Sequence, residues 1–229
     1  VIYTIRRYGR SFVTLSAFAL VALLPAAAEA DVILSGNLSG ATGGTEAASG
    51  DTWLTAGFGT DASTYKLTAV TLLLSNPTTG KAELDIYDDG GLQPGSLVGT
   101  LDSPSSYSSG LTATTFTTSG INLSANSNYW VVLKATSGEF DWAWTTDNTG
   151  TGAGFQGTWG NSSDAGSTWF TYGIYPTQMS VSVAPTAVPE PGSLALCGAG
   201  AVVLLLQHRY RRWSAGGHPA ARPSLLPKR

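Results

Sequence analysis

Over residues 31–183 the chain places apolar side chains at every second position in short runs and ends each run with turn-forming residues. No stretch of about a dozen residues carries the spacing of a helix. Because a strand points alternate side chains to opposite faces, Ala82, Leu84 and Ile86 are expected on one face and Glu83, Asp85 and Tyr87 on the other. Phe140, Trp142 and Trp144 oppose Asp141, Ala143 and Thr145 in the same way, and Met179, Val181 and Val183 alternate with serines. The nearly continuous apolar run LTAVTLLL (67–74) reads as a central strand, and YWVVL (129–133) as another. Between the runs stand Asn76-Pro77, Asp89-Gly90-Gly91, Pro94-Gly95, Ser109-Gly110, Ser119-Gly120 and Ser137-Gly138, all turn chemistry. About ten short strands so spaced predict an all-β domain over 31–187: an antiparallel two-sheet sandwich, jelly-roll-like.

The 229-residue chain leaves room for one such domain because its two ends carry other signals. Residues 1–30 read as a signal peptide: Arg6, Arg7 and Arg10, an apolar run over 12–24, then Pro25 and Ala28-Glu29-Ala30. Cleavage is expected between Ala30 and Asp31, with the small side chains of Ala28 and Ala30 marking the site. An N-terminal membrane anchor is the alternative, but that run falls short of the roughly 20 apolar residues of a span. The sandwich is therefore expected between an N-terminal signal helix and a short C-terminal hydrophobic helix.

At the other end Val188-Pro189-Glu190-Pro191 is followed by an apolar stretch over 193–206 and by His208-Arg209-Tyr210-Arg211-Arg212. The two prolines bar helix and keep the motif extended and accessible. As a helix the apolar stretch would rise about 20 Å against a hydrocarbon core of roughly 30 Å, enough to hold a chain in a membrane but poor for spanning it. Arginines directly after it should stay cytoplasmic, which places the β-domain on the exported side. This order of VPEP, short hydrophobic segment and arginine cluster, over 188–213, resembles the PEP-CTERM sorting signal of Gram-negative bacteria that make exopolysaccharide. The resemblance implies an exosortase partner that recognises Pro189, Glu190 and Pro191, with Arg209, Arg211 and Arg212 as the stop signal. A plain C-terminal anchor is the alternative reading. Residues 214–229, rich in Pro, Ala and Arg, read as a disordered basic tail.

Within the domain, LTAVTLLLSN, LDIYDDGGLQPGSLVGTL, NLSANSNYWVVL, FDWAW and GSTW follow one another between residues 67 and 169. Their order is similar to the choice-of-anchor R domain, a family found with different surface-anchoring tails. That resemblance implies a surface domain and supplies no catalytic residue.

Composition excludes several chemistries. Over 31–187 three lysines stand against thirteen carboxylates, a net charge of −10, and every arginine lies outside. Such a domain repels phosphate backbones, so no nucleic-acid partner is expected. His208, His218 and Cys197 also lie outside it, which removes a Ser-His-Asp triad, a cysteine nucleophile and the common zinc sites. Neither a cofactor nor a metal is expected. Glu83, Asp85, Glu139 and Asp141 are the carboxylates that a glycosidase mechanism could use if two of them converged. Asp85, Asp88 and Asp89 ahead of Gly90-Gly91 could draw calcium, but Tyr87 and Ser96 stand at the third and twelfth loop positions, so a solvated hairpin loop is expected.

The aromatic residues point elsewhere. Trp53, Trp130, Trp142, Trp144, Trp159 and Trp169 all fall in the domain, and flat aromatic faces can stack on sugar rings. Trp142 and Trp144 share a face with Phe140 and are expected in the core. Trp159 and Trp169 flank the polar loop GNSSDAGST and are the candidates for carbohydrate contact. The expectation is a non-enzymatic protein, exported by the secretion machinery, held transiently in the inner membrane and delivered to the cell surface or extracellular matrix. Binding of exopolysaccharide by the domain is the alternative function, and a carboxylate-based glycosidase a more distant one.

Overall fold

The computed structural model describes residues 31–186, and within them there is no helix. The signal peptide, the Pro-Glu-Pro motif, the hydrophobic segment, the arginine cluster and the basic tail lie outside the described residues.

The described residues form twelve strands in two six-stranded sheets, every strand pair antiparallel, two strands more than the sequence suggested. The first sheet runs β1 (Val32–Gly36), β12 (Met179–Pro185), β4 (Tyr65–Ser75), β9 (Glu139–Thr145) and β2 (Thr42–Ser49), with β7 (Thr112–Leu123) on the other edge of β4. The second runs β11 (Phe170–Tyr172), β10 (Phe155–Ser162), β3 (Trp53–Gly59), β8 (Asn128–Ser137), β5 (Lys81–Asp89) and β6 (Pro94–Leu101). Two strands lie at the ends of the order: β1 pairs with no strand but β12, and the three exposed residues of β11 with none but β10.

The run 67–74 is central, as expected, but it alternates. Leu67, Val70, Leu72 and Leu74 are buried while Ala69, Thr71 and Leu73 are half-buried. A register shift between Leu67 and Ala69, where β4 meets β7, absorbs the one residue by which the spacing departs from two. The inward faces of both sheets meet in one cluster. Leu67, Leu72, Phe116, Phe140, Trp142 and Val181 come from the first sheet; Leu54, Phe58, Leu84, Ile86, Val131 and Leu133 come from the second. With no cysteine among the described residues, this burial and the strand ladders hold the fold.

Side-chain hydrogen bonds tie the first sheet's last strand to its neighbours. The fully buried Gln178 donates from Nε2 to the Gly40 carbonyl at 2.9 Å, while its Oε1 accepts from Thr42 Oγ1 at 2.7 Å. Asn37 donates to the Thr177 carbonyl and accepts from Met179 N, so both ends of its amide are used.

Candidate functional site

The outward face of the second sheet is unusual because its central strand is buried on both sides. On β8, Tyr129, Val131, Leu133 and Ala135 enter the core, yet the outward Trp130 and Val132 are only 4% and 0% exposed. Large neighbours cover them. Register sets Trp53 of β3 and Glu83 of β5 beside Lys134, Asp85 beside Val132, and Tyr87 beside Trp130.

Lys134 is the hub of this face. Its Nζ lies 4.5 Å from the centre of the Trp53 ring and 5.6 Å from that of Tyr87, positions in which a cation is drawn to the ring face. The same ammonium pairs closely with Asp85, whose side chain is 1% exposed, and with Glu83 Oε1 at 3.2 Å. Asp85 also accepts from Thr100 Oγ1 at 2.6 Å. Burial pulls the Lys134 pKa down. The hydrogen bond and charge of Asp85, with help from Glu83 and Tyr87, more than offset this and hold it above the usual lysine value.

Beside this hub a cleft of about 170 Å³ opens between Trp130 and the residues of β10 and β11. That volume is below the roughly 300–1,000 Å³ of clefts that enclose drug-sized molecules, so it suits a single ring. Its aromatic walls are Trp130 and the half-open Tyr172, and its polar groups are Asp89, Asn128, Gln156 and Thr158. Trp130 Nε1 donates to Asp89 Oδ1 at 3.0 Å, and the same oxygen accepts from Leu92 N at 2.9 Å, which fixes the β5–β6 hairpin against the ring. Gln156 Nε2 donates to Asn128 Oδ1 at 2.5 Å, leaving Gln156 Oε1 and Asn128 Nδ2 with capacity for a ligand. Thr158 Oγ1 is buried and has no partner in the protein.

Glycine makes the cleft possible. A Cβ at Gly57 would stand 2.4 Å from Thr158 Oγ1, 2.9 Å from Gln156 Oε1 and 3.4 Å from Trp130 Cζ3. Only a residue without a side chain lets these three groups close over β3. Gly157, at φ +65°, sits where the register of β10 slips between Phe155 and Trp159, and the slip brings both Gln156 and Thr158 to Gly57.

The two tryptophans singled out from sequence lie at the rim. Trp159 is paired with Ala56, a core residue, and is half-buried. Its ring stacks on Tyr172 at 4.9 Å and 33°, and its Nε1 donates to the Ile174 carbonyl at 2.8 Å, so Tyr172 carries the open aromatic face of the pair. Trp169 is also half-buried. A Cβ at Gly166 would lie 2.7 Å from Trp53 Cζ3 and 3.5 Å from Trp169 Cζ2, so the polar loop is laid over Trp53 with Trp169 alongside. Asp164 organises that loop by accepting from Thr168 N, Thr168 Oγ1 and Ser162 Oγ. These bonds, the Thr168 hydroxyl first, hold its carboxyl below the usual aspartate range.

The carboxylate candidates fall on two different sheets. Glu83 and Asp85 share Lys134 on the second sheet, whereas Glu139 and Asp141 are on β9 of the first, where Asp141 accepts from Ser75 Oγ at 3.2 Å. Asp85, Asp88 and Asp89 each have separate partners: Lys134, the Ser96 amide and the Trp130 indole. Among the described residues no three His, Cys, Asp or Glu side chains group as metal ligands. Trp142 is fully buried, as expected, but Trp144 is half-buried, lying over Gly43 and Gly44 with Tyr175 at 5.8 Å. Asp31, beside the expected signal cleavage, is exposed and accepts from Thr68 Oγ1. Ala28, Ala30 and the sorting-motif residues lie outside the described residues.

Sequence reasoning passed over Trp130, Asn128, Gln156, Thr158 and Tyr172. Trp130 sits in an apolar run that reads as core, and the one available signal was the set of glycines in LTAGFG, which marks a strand that something approaches closely. No protein-family model matches the chain, and no curated protein matches it.

Proposed function

We propose that this is an exported, non-catalytic protein of a Gram-negative cell surface or extracellular matrix, and that its β-domain binds polysaccharide through the Trp130–Tyr172 cleft. The observation that carries the binding reading is the cleft itself. Two aromatic walls, two amides and a carboxylate converge on a ring-sized space. A sugar ring presents apolar C–H faces to aromatics and hydroxyls at its edge to amides and carboxylates. Two sheets sharing one core support a sandwich of jelly-roll type. The non-catalytic reading is supported by the engagement of Glu83 and Asp85 with Lys134 and by the placement of Glu139 and Asp141 on the other sheet.

Affinity electrophoresis of the full chain through gels containing neutral and acidic polysaccharides is expected to show retardation in at least one. Tyr172→Ala should weaken that retention about tenfold, the equivalent of about 1.4 kcal/mol of stacking. Tyr172 is 44% exposed, so the fold should be undisturbed. Free migration in every gel, or unchanged retention of the variant, would overturn the binding reading.

Delivery is proposed from the two ends of the sequence. Residues 1–30 act as the signal peptide, and residues 188–213 act as a PEP-CTERM sorting signal beside a domain of choice-of-anchor R type. The apolar segment holds the chain in the inner membrane until an exosortase cuts near Pro189-Glu190-Pro191. Mass spectrometry of the cell-surface fraction should find mature chains beginning at Asp31 and ending near that motif. Surface chains still carrying residues 209–229 would count against processing.

A further inference from the structure

We propose that the aromatic cleft takes only glycan chains free of carboxylate, sulfate or phosphate groups, and that Asp89 is the residue that makes this selection. The inference rests on the binding reading above and names the class of polysaccharide that the cleft admits.

Charge around the cleft is of one sign. Among the described residues that line it, Asp89 alone is charged, and it is exposed. β5, the strand that Asp89 ends, carries Glu83, Asp85, Asp88 and Asp89 against Lys81. On the neighbouring β8 the one lysine, Lys134, is held by both Asp85 and Glu83 and leaves no free cation beside the cleft. No arginine or histidine lies in residues 31–187, whose net charge is −10. A surface of one sign repels ligands of that sign, and the low-dielectric aromatic wall beside Asp89 strengthens the repulsion. A uronate entering this cleft meets a like charge and finds no partner.

Asp89 is fixed in that place. Its Oδ1 accepts from Trp130 Nε1 at 3.0 Å and from Leu92 N at 2.9 Å, so the carboxylate is held against the indole that walls the cleft. The second of these bonds also sets the lip. Leu92 lines the cleft, is 76% exposed and has φ +66°, a left-handed conformation that costs a leucine energy and that glycine adopts freely. Strain of this kind collects where ligands are clamped. Leu92, Trp130 and Tyr172 offer apolar surface to the C–H face of a ring, and Asn128 and Gln156 offer neutral amides to its hydroxyls. Every group but Asp89 therefore suits an uncharged sugar, and Asp89 rejects an acidic one.

The test uses the full chain in a sugar-free detergent and affinity gels cast with pullulan, glucomannan or galactomannan, each beside its own C6-oxidised form, in which CH2OH has become carboxylate. At low salt at least one neutral form should retard the chain, and its oxidised form should retard it about tenfold less. Asp89→Asn keeps an oxygen for Trp130 and Leu92 while removing the charge, so it should narrow that preference about threefold or more. Raising salt from about 0.01 to about 1 M shortens the screening length from about 30 to about 3 Å and should narrow it likewise, which reads the same charge in the unaltered protein. Glu139→Gln removes an equal charge from β9 of the other sheet and should leave the preference as in wild type. A preference that survives both Asp89→Asn and high salt, or that Glu139→Gln narrows as much as Asp89→Asn, would overturn the assignment to Asp89. Stronger retention by an oxidised form, lost in Tyr172→Ala, would overturn the selection and leave binding at the cleft standing. Free migration in all six gels would overturn the binding reading and this inference with it.

Discussion

Replacing Lys134 with Met is expected to cost about 3–5 kcal/mol of folding stability, because it strands the Asp85 carboxylate in a place where its side chain is 1% exposed. Thr100 would remain as one hydrogen-bond donor, which cannot replace a paired charge. Urea unfolding should show the midpoint falling with the slope unchanged. The double variant Lys134→Met with Asp85→Leu should recover most of the loss, since apolar replacement of both partners removes the stranded charge. Glu83→Gln should cost under about 1 kcal/mol because Glu83 is 44% exposed on its side chain and solvent screens its contact. The raised Lys134 pKa gives the pair a definite pH window. Its contribution is fully present below the unfolded lysine value and is lost only as pH rises through the higher folded one. Wild-type stability should therefore hold into alkaline pH where the double variant shows no dependence from this pair. If Lys134→Met unfolds at the wild-type urea midpoint, the pair is not what holds this face together.

Trp142→Ala should remove a comparable 3–5 kcal/mol by a different route, the transfer cost of a large side chain plus the cavity left behind. Trp142 is fully buried in the cluster shared by both sheets, and its indole N–H donates to the Gln178 carbonyl at 2.9 Å. That carbonyl also accepts from Leu73 N at 3.1 Å, so Trp142→Phe leaves no orphaned acceptor and should cost clearly less than the alanine change. Against the roughly 5–15 kcal/mol that separates folded from unfolded domains, Trp142→Ala removes about a fifth or more. Thermal unfolding followed by circular dichroism would check the order alanine below phenylalanine below wild type. Equal melting temperatures for the two variants would mean that ring volume is not what Trp142 supplies.

The strands were legible because their signal is local. Ala82, Leu84 and Ile86 are buried as alternation requires, Phe140 and Trp142 likewise, and the 67–74 run is the central strand of its sheet. Trp144 departs from its alternating partners because β9 ends there, at an edge where Gly43 and Gly44 admit the ring without covering it.

The cleft was not legible, and the reason lies in strand pairing. Its residues come from β3, β5, β8, β10 and β11, separated by as much as 115 positions from Gly57 to Tyr172. Alternation says that Tyr87 points away from the core, but not that β5 and β8 pair and set it beside Trp130. Trp130, in an apolar run on a strand covered on both faces, looked like core from its neighbours alone. Period and turn chemistry, read residue by residue, determined the all-β class and most strand positions. Tertiary structure decided which outward side chains meet, because register is set by contacts between distant segments; in this domain that placed Lys134 between two rings and left Thr158 and Asn76 without partners of their own.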